Sequence, residues 1–282
     1  MAIGIIGMGY VGTALKEGFK DYYKIETYDI DNSLSSCNSI KTLISKVEVI
    51  FLCVPTPMNE NGSCNLNIIE NIIDEINSLI QSQSNKIIII KSTVPPGTTE
   101  SLNNKYQNFN IIFNPEFLTE ANFIEDFKNQ NRIILGGSKS STSQIREFYI
   151  KIFSKAKIIE TDSNYAEMVK YFSNTFLATK VSFANEIKMI CDKLNIDYNK
   201  VVEYASYDNR LGHSHFSVPG PDGKLGFGGS CFPKDINALI SVALKLGVDP
   251  ILLRSVWNTN LKVRPEKDWE KLKGRAVTKK GN

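Results

Sequence analysis

The chain has 282 residues, 42% of them hydrophobic and 22% charged, which suits one large globular domain or two modest ones. Its formal net charge is +3, with no block or stripe of Lys and Arg, so nucleic acid and membrane surfaces are not expected partners. The longest apolar runs, such as residues 49–54, are far too short to span a bilayer.

Residues 3–6 form an apolar run that reads as a strand rather than a secretory signal. Residues 9–19 follow as a helix and 24–28 as a second strand, closed by Asp29. An apolar strand over 47–54 is stopped by Pro55-Thr-Pro57. Over 66–80 the positions Ile69, Ile72, Ile73, Ile76 and Ile80 fall on one helical stripe. Residues 87–90 lack polar alternation and predict a strand covered on both faces, and 111–113 and 132–135 complete the set. Strand and helix alternating in this way imply an α/β domain, a doubly wound parallel sheet with helices on both faces.

Near Asp162 the pattern changes. Residues 164–194 contain no proline or glycine and predict one long helix, with Val169, Phe172, Phe176, Val181, Ala184 and Ile187 among its apolar positions. Shorter helices are predicted over 198–205, 233–246 and 249–261. The expected division is a sheet domain over 1–160, an α-helical domain over 161–265 and a short, charged, loose tail over 266–282. A helix this long commonly serves as a spine or an interface, so a homodimer built through the second domain is expected.

Two motifs carry chemistry. Gly7-Met-Gly-Tyr-Val-Gly12 follows a strand and opens a helix, with Asp29 at the end of the next strand. Glycines at 7, 9 and 12 let the backbone, with Tyr10 and Val11, approach a pyrophosphate at a helix N-terminus, the Rossmann-type arrangement. Asp29 would accept hydrogen bonds from a ribose diol and repel a 2′-phosphate, which favours NAD over NADP. A packing turn and an FAD site are the competing readings.

The second motif is Gly226-Phe-Gly-Gly-Ser-Cys-Phe-Pro-Lys-Asp235. Pro233 suits a first helical turn, and Ile236, Leu239, Ile240, Ala243 and Leu244 make an amphipathic stripe ending at Gly247. Cys231 thus precedes a helix N-terminus, where unpaired amides and Lys234 favour a thiolate nucleophile. Gly228 and Gly229 are expected to clear a path to sulfur, and Asp235 to hold a water or relay a proton. A structural cysteine in a tight turn is the competing reading. The other cysteines (Cys37, Cys53, Cys64, Cys191) are scattered, and no spacing of them with His213 or His215 points to a metal. Free thiols in a reducing cytoplasm are the expectation.

The second motif resembles the signature of the UDP-glucose 6-dehydrogenase and GDP-mannose dehydrogenase family. Gly7 to Gly12, Lys91-Ser-Thr-Val-Pro-Pro-Gly97, Asn114-Pro-Glu-Phe-Leu-Thr-Glu120 and Lys170-Tyr-Phe-Ser-Asn-Thr175 extend the resemblance in the family's order over nearly the whole chain. The resemblance implies a four-electron oxidation of a nucleotide sugar, UDP-glucose foremost, from primary alcohol to carboxylate with two NAD. Cys231 would hold the aldehyde as a thiohemiacetal and then a thioester. Lys170 is similar to the lysine that steadies the oxyanion, and Asn174, one turn later on the same helix face, to its amide partner. Thr93 and Asp235 resemble the holders of a relay water, and Glu120 a base for thioester hydrolysis. Glu116, Phe117, Leu118, Phe227 and Gly228 would line the sugar. Pro55, Thr56, Pro57, Thr93 and Lys234 would flank the cofactor, and Arg210 would reach a substrate phosphate in the partner subunit. Lys91 is expected to be structural.

Family members typically continue into a third, nucleotide-binding domain about where this sequence stops, so how the nucleotide is held is left open. Residues 213–224 could form a substitute rim. Another nucleotide sugar as substrate, a non-catalytic nucleotide-binding protein and a one-step hydroxyacid dehydrogenase are the alternatives. Release of two, none or one NADH per substrate separates the dehydrogenase of nucleotide sugars from the last two.

Overall fold

Isoleucine and valine runs build the strands, and in the computed structural model, which describes residues 2–80 and 82–279, seven of them form one sheet. In chain order the elements are β1 (Ala2–Ile6), α1 (Tyr10–Phe19), β2 (Lys24–Tyr28), α2 (Ile40–Ile44), β3 (Val49–Leu52), α3 (Asn67–Leu79), β4 (Ile87–Ile90), α4 (Thr98–Lys105), β5 (Asn110–Phe113), α5 (Phe123–Lys128), β6 (Arg132–Gly136), α6 (Lys139–Ile150) and β7 (Lys157–Thr161). The helices α7 (Ser163–Leu194), α8 (Tyr198–Ala205), α9 (Phe232–Lys245) and α10 (Ile251–Val263) follow. The chain divides into two compact units, residues 1–56 with 66–170, and residues 57–65 with 171–282.

In the first unit the strand order is β2-β1-β3-β4-β5-β6-β7. The period-two alternation of each strand sends its side chains into two separate cores. Ile50, Leu52, Ile88, Ile90, Ile111 and Phe113 pack on one face with Ile69, Ile73 and Ile76 of α3. Val49, Phe51, Ile87, Ile89 and Ile112 pack on the other with the aromatic rings of Phe19, Phe127, Phe148 and Tyr149. Because β1 has β2 on one side and β3 on the other, the order reverses beside the C-terminal end of β1, the position at which such sheets bind ligands.

Two features depart from the sequence expectation. A seventh strand, β7, forms parallel to β6, and β6 is antiparallel to β5 through the single pair Phe113 and Gly136. The connection from β5 to β6, residues 114–131, holds only the six-residue helix α5. Helix α4 carries few apolar residues, and its first turn is capped from a distance. The buried Glu167 carboxylate of α7 accepts Gly97 N–H at 2.7 Å and Thr99 N–H at 2.8 Å. Gly97 has φ +94°, which suits glycine at that cap.

In the second unit Ala178, Phe227, Ile236 and Val256 form one small core, and Ala184, Cys191, Tyr198 and Val218 another. The stripe expected on α9 holds only in part. Ile236 is buried and Ile240 packs on the core, but Leu244 at the C-terminal end is exposed. Residues 57–65 join this unit because Met58 pairs with Val277, donating to the Ala276 carbonyl at 2.8 Å and accepting from Thr278 N–H at 3.0 Å. Residues 266–279 are therefore not the loose tail expected from their charge. Trp269 and Ala276 are buried, and a 3₁₀ turn spans Asp268–Lys271. Residues 280–282 of that predicted tail lie outside the described residues.

Candidate functional site

In the first unit the glycine turn is set by close backbone contacts. Gly7 has φ +92°, and a side chain there would meet the Cys53 carbonyl oxygen at 2.7 Å. A side chain at Gly12 would meet the Gly7 carbonyl oxygen at 2.0 Å, so α1 can start this near to β1 only without one. At Gly9, the N-cap of α1, a side chain would meet nothing within 4 Å, and no side chain caps the helix. The turn thus has open space over an uncapped helix N-terminus, as a pyrophosphate requires. Val11 is half-buried, and the Tyr10 ring rests edge-on against Phe123 at 6.3 Å.

Asp29, directly after β2, accepts Met8 N–H through Oδ2 at 2.6 Å and Asp31 N–H through Oδ1 at 2.9 Å. It braces the glycine turn and keeps acceptor capacity for a ribose diol. The residues present fit a dinucleotide. Asp29→Ala is expected to weaken NAD binding about 10- to 100-fold, the loss of a charged hydrogen bond, measurable by titration calorimetry. Unchanged affinity would mean that another residue holds the ribose.

The Thr56 hydroxyl is buried and donates to the Thr93 carbonyl at 2.8 Å, tying the segment after β3 to the one after β4, while Pro55 is exposed. Thr93 is buried as well.

The first unit also holds a buried ion pair. Lys170, on α7, donates through Nζ to Glu116 Oε1 at 2.8 Å and to the Glu116 carbonyl at 2.7 Å, and both side chains are buried. Burial alone would raise the Glu116 carboxyl, but the Lys170 charge and hydrogen bond, the Leu118 N–H at 2.6 Å and Lys91 outweigh it and hold Glu116 below the ordinary carboxylate range. Two of the three ammonium N–H groups of Lys170 serve Glu116. Phe117 lies 5.5 Å from the Lys170 nitrogen and is half-buried with Leu118, whereas Glu120 is exposed.

In the second unit Cys231 is the N-cap of α9 and half-buried, followed by Pro233 in the first turn. The buried Asp235 carboxylate accepts Lys234 Nζ at 2.5 Å and Asn174 Nδ2 at 2.6 Å. One of the two N–H groups of the Asn174 amide thus serves Asp235. Burial works against the Lys234 ammonium, but Asp235, Cys231 and Cys64 around it outweigh that effect and hold it above the ordinary lysine range.

The turn leading to Cys231 is fastened by residues that no local motif marked. Asn260, fully buried on α10, accepts Phe227 N–H at 2.7 Å and donates to the Phe227 carbonyl at 2.9 Å. Asn185 accepts Gly226 N–H at 3.1 Å. The buried Arg264 donates to the Leu225 carbonyl at 3.2 Å and pairs with Asp222 and Asp268, each at 2.6 Å, and Asp268 accepts Gly229 N–H at 3.2 Å. Of the two glycines expected to clear space before sulfur, Gly229 has φ +70° and a side chain there would meet nothing within 4 Å, whereas Gly228 is packed. The space beside it is filled, because a side chain there would meet the Arg264 guanidinium at 2.3 Å. Phe227 is a core residue, and Arg210 is exposed and paired with Asp208 at 2.6 Å. A buried arginine or asparagine reads as a surface residue in sequence, which is why these fasteners were missed.

Residues 23–156 match the family model described as the NAD binding domain of the UDP-glucose/GDP-mannose dehydrogenase family, and residues 164–262 match that family's central domain. UDP-glucose 6-dehydrogenase TuaD of Bacillus subtilis is 32% identical over 93% of this chain and 63% of its own length. UDP-glucose 6-dehydrogenase of Rickettsia bellii is 38% identical over 79% of this chain and 51% of its own. The chain therefore spans about half to two-thirds of the length of these curated relatives. Among solved structures, a UDP-glucose dehydrogenase from Pyrobaculum islandicum superposes with a TM-score of 0.83 at 28% identity, covering 96% of this chain and 70% of that one.

Proposed function

The chain belongs to the UDP-glucose/GDP-mannose dehydrogenase family, and from that premise we propose that it oxidises the primary alcohol of a nucleotide sugar, UDP-glucose foremost, to the carboxylate. The observation that carries this reading is Cys231 at the start of α9, beside a charged Lys234 and an Asp235 that is held on both sides. NAD, bound at the glycine turn, would accept one hydride in each of two oxidations. Cys231, its thiolate favoured by the Lys234 charge and the helix N-terminus, adds to the aldehyde carbon to give a thiohemiacetal. Lys170 donates to the oxyanion, and loss of a second hydride leaves a thioester. Water then attacks the thioester carbon, Glu120 or a water held by Thr93 and Asp235 takes its proton, and the carbon–sulfur bond breaks to release the acid and restore the thiol. One alcohol and one water thus become one carboxylate with two hydrides transferred and three protons released. Asn174 acts in this scheme by fixing Asp235.

The test is stoichiometry. Purified protein with NAD and a panel of UDP- and GDP-sugars should release two NADH per sugar consumed. One NADH per substrate would indicate a simple alcohol oxidation, and none would leave a binding protein.

The second unit supports a homodimer as the working assembly. Phe172, Phe176 and Phe183 of α7 are more than half exposed, and the first two stack at 6.2 Å. Arg210 would act in the partner's site. A single monomer boundary in sedimentation velocity would remove both statements. All five cysteines are free, which fits a reducing compartment and hence the cytoplasm. Among the described residues no helix is long and apolar enough to cross a membrane.

A further inference from the structure

Lys91 is a buried titratable group that the scheme above leaves unused. It directly follows β4 and is 4% exposed. Its ammonium donates to Asn114 Oδ1 at 3.0 Å and to the Pro115 carbonyl at 3.4 Å. Asn114 is anchored in turn. Its Nδ2 donates to the Ile134 carbonyl on β6 at 2.8 Å, and its Oδ1 also accepts the Tyr149 hydroxyl at 2.5 Å. Glu116 follows two residues later, gripped by Lys170 at both carboxylate and carbonyl. The turn of residues 114–116 therefore lies between two buried ammonium groups, each bonded to its backbone.

The groups that face Lys91 are Cys53 after β3, Glu116 on the turn and Lys170 on α7, with Tyr149 of α6 reaching it through Asn114. Burial pushes Lys91 down to about 8 against the opposing pull of Cys53 and Glu116, and the Lys170 charge adds to the lowering. Burial pushes the Cys53 thiol up to about 12, so it carries no charge near neutrality and Glu116 is the counter-charge.

We propose that Lys91 is a positioning residue for the Glu116–Lys170 pair: through Asn114 and Pro115 it holds the turn that presents Glu116, and its charge helps to keep Glu116 ionised. The catalytic meaning of this role rests on the dehydrogenase reading above, whereas the local effect does not. The full chain, labelled with ¹³C-carboxyl glutamate and with Glu116→Gln to assign the resonance, tests it in Lys91→Met and Lys91→Arg. In Lys91→Met the Glu116 carboxyl should titrate about one unit or more higher, because a nearby positive charge is gone. Its kcat should fall on the order of 10²-fold through misplacement, with KM for NAD unchanged and the acid limb of the kcat–pH profile moved up in step. Lys91→Arg should restore the titration and most of kcat.

An unshifted Glu116 titration in Lys91→Met overturns the proposal. So does a kcat loss with the acid limb in place and no rescue by arginine, since that is the signature of packing alone. Should Lys91→Met fail to fold, Lys91→Gln keeps a side-chain donor and removes the charge, and the same Glu116 shift is required of it. If the wild-type chain oxidises no nucleotide sugar, the dehydrogenase reading falls while the Glu116 titration still decides the positioning role.

Discussion

Cys231→Ala should abolish acid formation, lowering kcat by about 10³-fold or more, while NAD affinity stays at its wild-type value. Cys231→Ser should do the same. A hydroxyl is a far weaker nucleophile than a thiolate, and the Lys234 charge that favours the thiolate does little for it. The retained NAD affinity is expected because the glycine turn is built from Gly7, Gly12, Asp29 and Cys53 of the first unit. Acid can be followed by chromatography and NAD binding by calorimetry on the same preparations. Wild-type acid production in either variant would rule out the thioester route.

Lys170→Met should produce two separable losses. If Lys170 is the oxyanion donor proposed above, its removal lowers kcat by about 10²- to 10³-fold. It also leaves Glu116 buried without its hydrogen-bonded ion-pair partner and with only Lys91 to oppose its charge, which costs about 3 kcal/mol of stability in denaturant titrations. Replacing Glu116 as well, in Lys170→Met/Glu116→Leu, should restore part of the stability and none of the activity, because the buried carboxylate is gone while Lys91 loses its counter-charge.

The acid dependence of stability gives the sign of the interaction. In the fold Glu116 is held below its unfolded value of about 4.5, chiefly by Lys170 against the opposing effect of burial. Its stabilising contribution is therefore complete above that pH and is lost as pH falls through the folded value. Lys170→Met should remove this slope or invert it, since burial then acts on Glu116 with much less opposition. An unchanged slope would mean that the pair contributes nothing to folding.

Much of the fold could be read from the sequence because β1, β3, β4, β5 and β6 are largely apolar runs. Residues 24–28 and 87–90 matched β2 and β4 residue for residue, and the isoleucine stripe located α3. What escaped was held by partners remote in sequence. Helix α4 is polar and depends on Glu167, some 70 residues away. The strand β7 is only half-buried and has no clean period. Residues 57–65 gave no local hint that they pair with Val277.

The candidate site divides in the same way. Glycine spacing marks Gly7 and Gly12 because sterics forbid anything larger there, and a thiol before a proline marks Cys231. Composition could not show that Thr56 is turned toward Thr93, that Asn174 serves Asp235, or that Arg264 occupies the space beside Gly228.

Asn260, Asn185 and Arg264 clamp the peptide groups on the approach to Cys231. A loop bound at so many backbone points has little entropy left to surrender when a sugar arrives, so its ordering is completed during folding rather than repeated at every turnover. The enzyme would then meet each aldehyde with sulfur already aimed, and a sequence change at any of those three residues would first be felt as a looser aim.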